Sequence, residues 1–409
     1  MKMIWELFGV HLTFFISILL ILIVWLVWPR KQKRVRKGLI TLLGLVFLSA
    51  LVTGLIAYWP HQYEKTYLAD DTKQMELEEY SLSRLADSLD FYIGTAVKPD
   101  SLSRYWVPGE FNSVTAENHF KPGHLLQDAE AWEFNFETAD ALLHQAEEHG
   151  MRMRGHTLIW GKYPGRTHPV AWIKMSEQAE DPKAAMTSII TRYITEVMTH
   201  YKGKVPTWDV VNEPMGGPVL YENVFTRTLG EAYIDLAFHT AYSIDPSCEL
   251  FLNEAIGDYD GPQGKAFLEL LERLKERGVP VHGVGLQTHH INNIHDVEAL
   301  KRYLRAIGEM GYKTEITELD IRLLLFKKTK DPYQAQGEQY YQIAKACMEE
   351  PSCQGLTIWG ITDRENWLDQ IPPFKWKSPN APYILDEDLN KKPAYWGLHR
   401  ALVEQYQNQ

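Results

Sequence analysis

Along the chain, hydrophobic and polar positions fall into two regimes. Before residue 60 the apolar residues form two nearly unbroken runs, residues 5–28 and 38–59, separated by a basic stretch. Each run is long enough to cross a hydrocarbon layer of about 30 Å at about 1.5 Å per helical residue. From Leu82 onward the pattern changes to short apolar runs alternating with amphipathic stretches of helical period, as repeated strand-helix units require. The short runs predict strands at Phe91–Thr95, Phe111–Thr115, Met153–Ile159, Pro206–Val211, Leu250–Asn253, Val284–Gln287, Glu315–Leu319 and Leu356–Gly360. Helical patterns fill most gaps, at Ala139–His149, Ala184–His200, Leu268–Arg277, Val297–Met310 and Gln336–Glu349. Eight such units, with no Gly-rich phosphate loop after the first strand, point to an α/β fold of the (β/α)8 TIM barrel type rather than a doubly wound sheet.

The stretch Arg30-Lys31-Gln32-Lys33-Arg34-Val35-Arg36-Lys37 is expected in the cytoplasm, which turns both ends of a transmembrane hairpin outward. Trp25, Trp28, Tyr58 and Trp59 suit the two membrane interfaces. The expected organisation is a two-span transmembrane hairpin over residues 1–60, a polar stalk or linker over 61–81, and a barrel over 82–409. Its location is then the cell membrane, with the barrel extracellular and residues 5–28 and 38–59 in the lipid bilayer. The alternative, a cleaved signal peptide followed by one anchor, fits less well. The first run exceeds a signal core of about 7 to 15 residues, and no small-residue cleavage site precedes the basic stretch. Charge divides the chain at the same place: residues 1–60 carry seven Lys/Arg against Glu6, so the net charge of -11 leaves -17 for the remainder. An acidic domain without a basic stripe is not expected to bind nucleic acid as its main task. A neutral polymer suits it.

Polar residues that close barrel strands are the candidates for chemistry, because the active sites of such barrels sit at the C-terminal face. Here they are Glu117 and Asn118, His156 and Trp160, Asn212 and Glu213, Asn253 and Glu254, Gln287 and His289, Glu318 and Asp320, and Trp359. Glu213 lies in Trp208-Asp209-Val210-Val211-Asn212-Glu213-Pro214, where Pro214 is expected to hold the preceding residue extended. Glu318 lies in Glu315-Ile316-Thr317-Glu318-Leu319-Asp320. Hydrolysing an acetal needs one carboxyl group to protonate the departing oxygen and another on the opposite face to meet the oxocarbenium-like carbon. Two strand-end glutamates across a barrel mouth supply that pair. An isolated strand-end Glu more commonly caps a helix or pairs with a surface Lys; Asn212 shifts the balance, since an amide beside the acid suits a sugar hydroxyl.

These two strings resemble the acid/base and nucleophile signatures of glycoside hydrolase family 10, the endo-β-1,4-xylanase family, 105 residues apart. The resemblance extends to Phe111-Asn112, Thr115, Glu117-Asn118 and Lys121; to Arg154-Gly155-His156-Thr157-Leu158-Ile159-Trp160; and to Gly285-Leu286-Gln287-Thr288-His289. It continues through Thr357-Ile358-Trp359-Gly360-Ile361-Thr362-Asp363 with Trp367, and Lys392-Pro393-Ala394-Tyr395. It covers residues 82–402 with the motifs in family order. The resemblance implies retaining hydrolysis of internal β-1,4 bonds in xylan or a xylan-like polysaccharide, with Glu213 as general acid/base and Glu318 as nucleophile. Asn212 stands beside the acid, His289 would orient Glu318, and Asp320 would fix the histidine tautomer. Glu213 is expected to have a raised pKa, so as to be protonated near neutral pH. Glu117, Asn118, Lys121, His156, Trp160, Gln287, Trp359 and Trp367 are the implied substrate-binding residues, the indoles stacking on sugar rings.

Neither cofactor nor metal is implied: there is no His-x-His on the first strand and no His-Glu-x-x-His. Cys347 and Cys353, five residues between them, are expected to pair in an external domain, leaving Cys248 as a buried thiol. The chain departs from the family pattern at Pro122, at Gly161-Lys162-Tyr163-Pro164, at Glu254-Ala255 and at Asn366. These changes alter subsite walls and leave the acid, the nucleophile and the His289/Asp320 pair in place. Two other readings stay open: a related β-glycosidase acting on another β-linked glycan, and a non-catalytic membrane glycan-binding protein.

Overall fold

The computed structural model describes residues 80–408, apart from 106–108, 373 and 377–378. The apolar runs 5–28 and 38–59 and nearly all of the predicted stalk lie outside the described residues; among the described residues no helix is long and apolar enough to cross a membrane. The chain divides into two compact units, Met1–Met75 and Glu76–Gln409, and the described residues all belong to the second.

Ser81 opens the described part by accepting the Arg84 N–H, capping helix α1 (Leu82–Ser88). Strands β1 (Tyr92–Val97), β2 (Ser113–Ala116), β3 (Arg152–Trp160), β4 (Thr207–Asn212), β5 (Glu249–Glu254), β6 (Gly283–Leu286), β7 (Lys313–Ile321) and β8 (Cys353–Ile358) pair in parallel, each with the next. Pairing of β8 with both β7 and β1 closes the sheet into a barrel. The strands are buried almost throughout, as expected where helices cover the outside and side chains fill the inside. Helices α2 (Glu137–Glu148), α3 (Pro182–Tyr201), α4 (Ala232–Ile244), α5 (Pro262–Glu276), α6 (Val297–Glu309), α7 (Pro332–Met348) and α8 (Pro393–Gln407) form that outer layer. Asp181, Asp296 and Asp331 cap α3, α6 and α7, and Pro occupies the first turn of α3, α5, α7 and α8, where its missing N–H costs nothing.

Ladder register shifts between His156 and Ile159, between Asp209 and Val211, and between Ile316 and Leu319. Irregularities of this kind near strand ends re-aim side chains, and here they lie just below the residues that close the strands. The barrel interior also holds a charged layer. The Arg154 guanidinium donates to Asp209 and, at 3.0 Å, to Glu315, while Arg152 reaches the other Glu315 oxygen at 2.8 Å. Burial alone would raise both carboxyls, but the guanidinium charges hold their pKa values below the ordinary range.

Cys347 at the end of α7 and Cys353 at the start of β8 form a disulfide with a Cα separation of 5.3 Å, and Cys248 is a buried free thiol. Burial pushes that thiol up to about 12.

Candidate active site

Glu318 is almost fully buried near the end of β7, and its carboxylate is held from two sides. Asn253 Nδ2, from β5, donates to Oε1 at 2.7 Å; His289 Nε2, just beyond β6, stands 3.3 Å from Oε2. Gly285 on β6 makes this approach possible, because a Cβ there would lie 2.1 Å from the Asn253 Oδ1. Thr317 locks that amide by donating to its Oδ1 at 2.6 Å, and Asn253 Nδ2 also reaches the Asn212 Oδ1 at 2.8 Å.

His289 sits between two acids, with Nδ1 3.0 Å from Asp320 Oδ1. Burial disfavours a charged ring, yet Asp320 and Glu318 outweigh it and push its pKa up to about 10. The two acids thus favour the protonated ring. Asp320, 3.0 Å from Nδ1, supports that charge. The indole of Trp367 donates to the second Asp320 oxygen at 2.7 Å.

Glu213 follows β4. Its backbone does not take the extended form expected before Pro214: φ is +52°, in the left-handed region. Two contacts fix it there, the Glu213 N–H on the Asn253 carbonyl at 2.8 Å and the Met215 N–H on the Glu254 carboxylate at 2.8 Å. The Glu213 carboxyl points to Gln287, whose Nε2 donates to Oε1 at 3.1 Å, and to Lys162, whose Nζ lies 2.7 Å from Oε2. Its pKa does not rise as expected. Burial favours the neutral form, but the Lys162 charge, hydrogen bonds from Lys162 and Gln287, and the His289 charge together hold it below the ordinary carboxylate range.

The remaining predicted residues converge on the same mouth. Lys121 is buried rather than in a surface turn; it donates to Asn118 Oδ1 at 2.9 Å and lies 5.0 Å from the centre of the Trp160 ring. Burial lowers its pKa to about 8 against the pull of Glu318, Glu117 and Glu213. Asn118 donates to Glu117 at 3.1 Å, and Lys98 stands 3.8 Å from Glu117. His156 is anchored by Asp209 at 2.8 Å and meets Trp359 edge-on at 5.3 Å between ring centres. Trp359 also lies edge-on to His289 at 6.2 Å. The Asn212 oxygen accepts from Asn253 and Gln287, while its Nδ2 has no hydrogen-bond acceptor among the described residues. Asn253 and Glu254 are among the strand-closing candidates in the sequence but without an assigned role there, and Asp209 and Lys162 do not stand out as site residues. Asn253 carries a usable signal as an amide closing a strand; Asp209 carries none, being one inward position in an apolar strand.

Residues 81–401 match the sequence model of glycosyl hydrolase family 10. The chain is 34% identical to endo-1,4-beta-xylanase A of Humicola insolens over 73% of its own length and 76% of the relative's. It is 32% identical to an endo-1,4-beta-xylanase of Geobacillus stearothermophilus over 75% of its length and 94% of the relative's. Among solved structures it superposes on native xylanase 10B of Thermotoga maritima with a TM-score of 0.72 and 28% identity, covering 80% of this chain and all of that one. Xylanase 10B of Thermotoga petrophila in complex with xylobiose gives 0.70 and 29%, over 80% and 98%. With the barrel, the order of its strand-end residues and these likenesses in agreement, the chain belongs to glycosyl hydrolase family 10.

Proposed function

We propose that this barrel hydrolyses internal β-1,4 bonds of xylan with retention, by double displacement. The observation that carries the reading is the pair of glutamates at the barrel mouth: Glu318 between the Asn253 amide and the His289 ring, and Glu213 between Gln287 and Lys162. In the first step a Glu318 oxygen bonds to the anomeric carbon as the glycosidic C–O bond breaks, and Glu213 gives its proton to the leaving oxygen. In the second, water replaces Glu318 at that carbon and Glu213 takes the water's proton. His289, supported by Asp320, orients Glu318, and the Asn212 amide donates to a sugar hydroxyl. Glu117, Asn118, Lys121, His156 and Gln287 bind the sugar hydroxyls, while Trp160, Trp359 and Trp367 supply ring faces. The substrate assignment draws on relatives that are endo-1,4-beta-xylanases, and on a neighbouring xylanase structure solved with xylobiose. Digestion of a panel of plant and bacterial β-glycans tests it: xylan should yield short xylo-oligosaccharides, and release from only another β-glycan would reassign the substrate.

The same reading includes the tether: residues 5–28 and 38–59 span the membrane around a cytoplasmic loop, 61–81 form the stalk and the domain from 82 onward lies outside the cell. The basic loop between two apolar runs supports it, and the Cys347–Cys353 disulfide suits an oxidising compartment. Protease added to intact cells should remove the barrel; a protected barrel would overturn this topology.

A further inference from the structure

The family comparison leaves Lys162 without a role, since it stands in the Gly161-Lys162-Tyr163-Pro164 segment where the chain departs from the pattern. We propose that Lys162 is a positioning residue that clamps the acid/base carboxylate in its ionised form in the free enzyme and must release it when the leaving-group sugar enters. The geometry is closed on several sides. Lys162 Nζ lies 2.7 Å from Glu213 Oε2 and 5.2 Å from the centre of the Tyr221 ring, so the ammonium is held between a carboxylate and an aromatic face. Its position is set by Gly161, where a Cβ would meet the Asn223 amide at 2.1 Å. Asn223 in turn caps the helix Val224–Leu229 and donates to the Tyr221 carbonyl at 3.2 Å, so the side chain packed against Gly161 is itself fixed.

Every element around Glu213 contributes to its charge state. Lys162 faces it from the loop after β3, with Tyr163 beside that ammonium. Lys121 faces it from the loop after β2 and His289 from beyond β6, both cationic groups. Glu254, from β5, is the opposing acid; burial pushes it up to about 8 and so weakens its opposition to Lys162, while its two oxygens accept the Met215 and Ala255 N–H groups. Glu318 from β7 is the remaining acid, itself occupied by His289 and Asn253. Gln287 donates to Glu213 and carries no charge. The cations therefore prevail, and the Glu213 proton needed for the first chemical step is disfavoured until Lys162 moves.

This inference rests on Glu213 being the acid/base, which is tested separately: Glu213→Ala should cleave aryl xylosides with activated leaving groups, and added azide should accelerate it by capturing the intermediate. Failure there removes the acid/base reading itself. Given that result, the test is the pH profile of kcat/KM, whose alkaline limb reports the acid in the free enzyme. Lys162→Met should move that limb upward by about one pH unit or more, raising kcat/KM about tenfold on the alkaline side. Lys162→Arg, which keeps the charge, should hold the limb near its wild-type position. A Lys162→Met limb that coincides with wild type, or a Lys162→Arg limb that moves as far as Lys162→Met, overturns the clamp. Should Lys162→Met fail to fold, the wild-type protein still decides. Its Glu213 carboxyl, followed by carbon NMR, should titrate below the ordinary carboxylate range, and a value within or above that range overturns the proposal.

Discussion

Replacing Arg154 by Met removes one guanidinium from the barrel interior and leaves a carboxylate without its main partner. Asp209 and Glu315 are 1% and 2% exposed. Glu315 keeps Arg152, whereas Asp209 keeps the His156 ring and loses its guanidinium partner. Breaking a buried ion pair from one side costs about 3 to 5 kcal/mol, because the remaining charge cannot be solvated. At about 2.1 cal/mol/K of unfolding entropy per residue, a domain of the matched length loses about 4 to 7 °C in Tm. The pH dependence gives the diagnostic. In the wild type both carboxyl pKa values are depressed, so their contribution is present above the unfolded-state values and is lost as pH falls through the folded-state ones. The variant lacks most of that contribution, so its deficit should be largest at neutral pH and shrink on acidification. Calorimetry of both proteins across the acid range measures it. A deficit below about 1 kcal/mol, or one that does not change with pH, would refute the reasoning. Because Asp209 also anchors His156, KM should rise in the same variant.

Asp320→Asn removes the largest influence raising the His289 pKa and should lower kcat/KM about a hundredfold, with the histidine titration appearing in the pH profile. Glu254 has a folded pKa of about 8 against an ordinary 4.5, so the folded state keeps a proton that the unfolded chain releases between those values. Stability should fall with rising pH there by up to about 1.4 kcal/mol per unit, and Glu254→Gln should flatten the slope measured by denaturant titration. Reducing the Cys347–Cys353 disulfide should cost about 2 kcal/mol, since its loop is short; melting with and without reductant checks this.

The barrel is legible in the sequence because its strands are buried on both faces and read as short apolar runs between turn residues; all eight predicted segments overlap the observed strands. Helix α4 is not among the predicted helices, since Ala232–Ile244 is apolar around much of its circumference and shows little period. Strand β7 runs further than expected, to Ile321, because Asp320 and Ile321 continue pairing with His289 and His290 beyond the main sheet. At the site, residues that end strands can be found one by one, whereas the groups that set charge cannot. Lys162 reaches Glu213 from a different loop, and no local pattern announces a contact between residues 162 and 213. For the same reason the Glu213 shift runs opposite to expectation. Burial and acidic neighbours are visible in sequence, and the cation that outweighs them is not. The αL backbone at Glu213 likewise depends on contacts from β5, which override the local preference before proline.

Trapping the covalent intermediate tests double displacement through Glu318 most directly. A 2-fluoro xylobioside with an activated leaving group slows turnover of a glycosyl-enzyme, so mass spectrometry of the intact protein and of its peptides should find one added disaccharide on Glu318. No label in a protein that is active on xylan, a label on another residue, or an initial α-configured product would contradict that mechanism.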